Sequence, residues 1–228
     1  MAQSVYLQTY TTSSFRIKYE KKIPVREAKK IGEMLDSALT KYSQRLHLTL
    51  SRNIDVILIN SSDKLKREAK LKLFDDGIFK GNKIYLVTVT GLNDEVKTRD
   101  AVARVATRAL LYQLRYCPAW LAESYSLYAG NALTRFSQPS RTNILGFSDL
   151  SEDYARLEQR PDDQKELFAR LAATMSFLVN RYGESKVESM FSQFYGGKSL
   201  DEAFEFIFGE KMQDIEREWV KALTSQAK

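Results

Sequence analysis

The chain has 228 residues, of which 43% are hydrophobic and 11% aromatic, with 10 glycines and 4 prolines. That is enough apolar material for a substantial core, and it excludes a disordered or low-complexity chain. One cysteine, Cys117, and one histidine, His47, exclude an intrachain disulfide and a cysteine-based zinc site, and give no basis for a Ser-His-Asp arrangement. The net charge of +6 is uneven: residues 1–120 carry 22 Lys/Arg against 12 Asp/Glu, and residues 121–228 carry 13 against 17.

Two short alternating runs, Val5-Tyr6-Leu7 and Phe15 to Tyr19, predict strand or hairpin structure. Pro24 opens a helix at a position where its missing N–H costs nothing. Val25, Ala28, Ile31, Leu35, Ala38, Leu39, Tyr42 and Leu46 give that helix one apolar face to about residue 47. His47 then reads as a surface residue of the last turn, since a lone imidazole does not build a zinc site. The β-branched run Asn53 to Asn60 predicts a central strand, and Ser61-Ser62-Asp63 caps a following basic helix. In the run Lys64 to Lys72 the charges form a solvated face, with Leu65, Ala69 and Leu73 turned inward. No nucleic-acid motif accompanies this charge, so nucleic acid is not an expected partner.

Asp75-Asp76-Gly77 and Gly81-Asn82 predict turns, and Lys83 to Val89 a second strong strand. Asn93 or Asp94 caps a long helix running to Leu114, on which Arg104 and Arg108 share a face because they are four residues apart. Pro118 precedes a helix from Ala119 to Ala129 that ends at Gly130. Residues 131–161 are polar, contain Pro139, Gly146 and Pro161, and read as an irregular crossing segment. Three helical regions follow: Asp162 to Tyr182; Ser185 to Tyr195; and Leu200 to Phe208 with a continuation past Gly209 through Trp219 to Leu223. Ser185 with Glu188 and Ser199 with Glu202 have the spacing of capping boxes. Paired acids such as Asp75-Asp76 and Asp162-Asp163 read as caps and solvation. No run approaches the ~20 apolar residues of a membrane span, and no signal peptide is expected.

The stretch 101–128 resembles the gluzincin pattern of the peptidase-MA-like metallopeptidases, in which a histidine-bearing helix is followed by a proline-tryptophan-glutamate helix. Val102-Ala103-Arg104-Val105-Ala106-Thr107-Arg108 lies over the first part and Pro118-Ala119-Trp120-Leu121-Ala122-Glu123 over the second. Tyr182-Gly183 and the tail from Ser199 to Trp219 are similar to the closing segments of the same families. The resemblance implies an α+β, zincin-like fold: one domain over 1–228, with a small mixed sheet and helices to about residue 116 and a helical lobe over about 117–228. It implies that Lys83 to Val89 runs beside the cleft and pairs with substrate. It also implies that Arg104 and Arg108 occupy the two zinc-histidine positions, Val105 that of the catalytic glutamate, and Glu123 that of the third ligand. Guanidinium has no lone pair for a metal and valine accepts no proton from water, so neither zinc nor another cofactor is expected. Two arrangements are open in the metal's place: a bridge from Arg104 or Arg108 to Glu123, or arginines that reach solvent with Glu123 a helix-surface acid.

The implied function is that of a catalytically inactive metallopeptidase-like domain, kept for peptide or protein binding, in an extracytoplasmic setting. Tyr85, Trp120 and Tyr125 are candidate cleft residues, although core packing is the alternative for the last two; Tyr112, Tyr116 and Tyr128 complete a candidate stacking surface. Two other readings stand beside it. One is an active hydrolase using Glu123 with a tyrosine; the other is an anionic-polymer-binding module using the basic first half.

Overall fold

A computed structural model describes residues 7–69, 73–136, 139, 146–156 and 163–225. Val5 and Tyr6 of the first expected strand, Lys70 to Lys72 of the basic run, and Pro161 and Asp162 lie outside the described residues. The chain divides into two compact units. The first comprises residues 1–44 and 49–113, and the second residues 45–48 and 114–228. The architecture is α+β, with a small mixed sheet.

The first unit is built on five strands: β1 (Leu7–Thr11), β2 (Phe15–Glu20), β3 (Ile54–Ile59), β4 (Gly77–Lys80) and β5 (Lys83–Val87). Their order is β1-β2-β3-β5-β4. The β2–β3 and β3–β5 pairs are parallel, and the outer pairs β1–β2 and β4–β5 antiparallel. Alternation sets the faces: Phe15, Ile17 and Tyr19 are buried while Arg16, Lys18 and Glu20 point away. Helix α1 (Val25–Leu46) makes the crossover from β2 to β3. Its Gly32 lies so close to the sheet that a Cβ there would meet Ile17, Tyr10 and Thr12.

Helix α2 (Ser62–Ala69) packs on β3, β4 and β5, and Leu65 is its buried anchor. Lys64 of α2 bonds Glu20 on the sheet face opposite Ile17. Helix α4 (Glu95–Leu111) covers β4 and β5. Asp94 is its N-cap, its Oδ1 accepting from the Lys97 N–H at 2.9 Å. Asn93, the other candidate cap, instead ends a short helix, α3 (Val89–Leu92), in the left-handed conformation.

Two features depart from the sequence reading of this unit. The stretch between the two predicted turns is a strand, β4, and the second turn joins it to β5. Gly81 and Asn82 both have positive φ (58° and 60°), which suits a tight two-residue hairpin. The second departure concerns β5, expected to offer an edge to substrate. It is hydrogen-bonded to β3 on one side and β4 on the other, so its backbone is already spent; β4 is the strand at the sheet's edge.

The second unit is helical. It contains α5 (Ala119–Ala129), a 3-10 turn (Leu133–Arg135), α6 (Phe147–Ala155), α7 (Gln164–Tyr182), α8 (Glu184–Tyr195), α9 (Leu200–Phe208) and α10 (Met212–Ser225). Its core is aromatic: Phe147 stacks on Trp120 at 5.4 Å and meets Trp219 at 5.4 Å and Phe204 at 5.9 Å. Helix α6 lies inside the stretch read as irregular. Its buried residues are only Phe147 and Leu150, too few to leave a helical period against polar neighbours. The Ser199–Glu202 capping box is present in both directions. The Ser185–Glu188 box is not: α8 begins one residue earlier, at Glu184, and Glu188 bonds tertiary partners instead.

Candidate functional site

In the first unit Arg104 and Arg108, which the resemblance sets at the histidine positions, are buried on α4. Arg104 is 3% exposed and Arg108 8%, and Val105 between them packs into the core. The Arg104 guanidinium does not turn to solvent. Its Nη2 donates to Asp76 Oδ1 at 2.6 Å and to the Gly77 carbonyl at 2.7 Å. The guanidinium carbon also stands 3.7 Å from the Phe74 ring centroid, a cation–π contact strengthened by burial.

Asp76 is fully buried, and its Oδ1 also accepts the Gly77 N–H at 2.8 Å. The acid read from sequence as a solvated turn residue is therefore the partner of a buried cation. Its dipeptide neighbour Asp75 does bond outward, to Lys97 at 2.8 Å. Arg104 thus finds its carboxylate within its own unit, and its Nε has no hydrogen-bond partner among the described residues. The Arg108 guanidinium carbon is 5.9 Å from the Phe79 ring centroid. Tyr85 is half-buried on the interior strand β5, in register with Ile57 and Ile78.

The second unit carries Glu123. It lies on α5, is 8% exposed, and accepts from the Tyr154 hydroxyl of α6 at 3.0 Å. Next to Tyr154, Asp153 accepts from Arg170 Nη2 at 2.5 Å. Trp120 and Tyr125 are given to the core, at 1% and 0% exposed, so neither ring presents a binding surface. Tyr125 donates its hydroxyl to Glu188 at 2.6 Å, and Arg45 bonds both Glu184 and Glu188. Burial, then a hydrogen bond to Glu184, pushes the Tyr128 phenol above its ordinary pKa. Tyr112 and Tyr116 are half-exposed, in the first and second unit respectively. The five polar partners Asp76, Tyr154, Arg170, Glu188 and Arg45 carry no local sequence signal, because each is brought to its counterpart by tertiary packing.

Chemically, this donor set does not suit zinc. Two cations and a valine stand at three of the four positions the resemblance assigns, and none can ligate a metal or accept a proton from bound water. Among the described residues no group of three or more His, Cys, Asp or Glu is placed to hold a metal. In the basic first half Arg16 and Lys18 bond Asp55, Lys22 and Lys64 bond Glu20, and Lys30 bonds Glu95. No described helix is long and apolar enough to cross a membrane. No protein-family profile matches the chain, and no curated protein matches it in sequence.

Proposed function

We propose that the chain is a catalytically inactive, metallopeptidase-like domain of zincin-like fold, and that it binds peptide or protein. The observation that carries this reading is the fate of the Arg104 guanidinium. At the first histidine-equivalent position it is buried, charged, and bonded to Asp76 and to the opening carbonyl of β4. A position that would present a neutral nitrogen to a metal instead ties a helix to a strand. The binding surface we assign is the edge of β4, where an extended segment adds as a further antiparallel strand and draws its affinity from main-chain hydrogen bonds.

Metal analysis by mass spectrometry of protein purified without chelators should find zinc well below one equivalent per chain; about one zinc per chain overturns the proposal. The same preparation, presented with a random-sequence peptide library, should retain peptides without cleaving them. Cleavage that Glu123→Gln abolishes would decide for the hydrolase reading instead.

A further inference from the structure

We propose that β1 is a self-association edge, through which two copies of this chain join their sheets by antiparallel strand pairing. The strand is the first of the sheet order and is bonded to β2 alone. No described residue pairs with its other side. Its sequence, Leu7-Gln8-Thr9-Tyr10-Thr11, contains none of the devices that normally blunt an edge: no charge, proline, glycine or bulge. Four of its five residues are exposed, Leu7 to 44%. The first charged residue of the chain is Arg16, in a sequence that is 28% charged.

The opposite edge of the sheet is handled differently. Strand β4 has only four residues and ends on Lys80, with α4 packed across the face it shares with β5. The contrast makes β1 the longer and uncharged edge.

A second copy fits this edge because the strand carries no charge of its own to repel its mate. The solvent-side residues Leu7, Thr9 and Thr11 are paired within the sheet with Glu20, Lys18 and Arg16. Antiparallel pairing about a two-fold axis at Thr9 sets Leu7 of one copy against Thr11 of the other. The two outer rows then run from Glu20 of one copy to Arg16 of its mate and the central row from Lys18 to Lys18, with both uncharged strands lying between them, so that no like charges stand side by side. A two-fold contact of this kind closes on itself and stops at a dimer. Five residues of strand pairing make a small interface, so the association is weak and concentration-dependent.

Sedimentation equilibrium of the full chain from micromolar to millimolar concentration should show a monomer–dimer equilibrium. Hydrogen exchange at the β1 amides should slow as the dimer fills. Leu7→Lys places a cation opposite Glu20, which keeps the hairpin stable while blunting the edge, and should weaken association at least ten-fold. Gln8→Pro and Thr9→Pro form a control pair. Consecutive strand residues point their N–H groups to opposite sides, so one of these prolines leaves the β2 ladder intact. The variant with an unchanged melting temperature should be the one that no longer dimerises. A chain that stays monomeric throughout, or a dimer indifferent to Leu7→Lys and to the well-folded proline variant, overturns the proposal.

Discussion

The Arg104 guanidinium is almost wholly withdrawn from water, so its surroundings must replace its hydration. Asp76, the Gly77 carbonyl and the Phe74 ring do so. Removing one partner leaves the other charge buried and unmatched, at a cost of about 3–5 kcal/mol. Arg104→Ala and Asp76→Ala should each lower stability in urea by about that amount. The double variant should lose much less than the sum, because the two side chains share one interaction; strict additivity would refute the pairing. On the proposed resemblance two arginines stand where a metallopeptidase has histidines. The sequence could not show which acid would answer Arg104. Asp76 lies 28 residues away in a dipeptide whose other member, Asp75, bonds the half-buried Lys97, and composition does not distinguish the two.

At the scale of elements, the helices with strong periodicity and good caps were readable from the letters, as were the central strands. Strand β4 and helix α6 were not. Strand β4 is four residues long, between a turn and a hairpin, and too short for alternation to register. Its boundaries are set by close packing. A Cβ on Gly77 would come within 2.6 Å of Leu86 Cδ2 and 3.1 Å of the Tyr85 carbonyl, so the strand can begin there only because the residue is glycine. Gly77→Ala forces β4 away from β5 and should destabilise the fold by about 1–3 kcal/mol. Because the Gly77 carbonyl is also the acceptor for Arg104, the same change should speed hydrogen exchange at the β4 and β5 amides more than elsewhere. Uniform acceleration across the sheet would argue that the close approach is not what limits this position.

At the scale of the molecule, the two units draw on different chemistry, and pH should separate them. Asp55 in the first unit is held below the usual carboxylate pKa, first by the Arg16 hydrogen bond and, against the cost of burial, by Lys18. Glu20 is lowered in the same way by Lys22 and Lys64. A carboxyl whose folded pKa is depressed contributes stability above its unfolded value, about 4, and that contribution fades as pH falls through the folded value. The sheet carrying β2 and β3 should therefore loosen as the solution is taken below about pH 4. The second unit supplies the internal reference, because both tryptophans of the chain, Trp120 and Trp219, sit in its core. Hydrogen exchange at the β2 and β3 amides, corrected for its intrinsic pH dependence, should accelerate on acidification. Asp55→Asn should be less stable at neutral pH and should lose less of its protection in acid, since the group that titrates is gone. Tryptophan emission in the same samples should respond equally in both proteins. If Asp55→Asn loses as much protection on acidification as the parent, the matched charges of the sheet's outer face contribute nothing to its stability, and the fold rests on its apolar face alone.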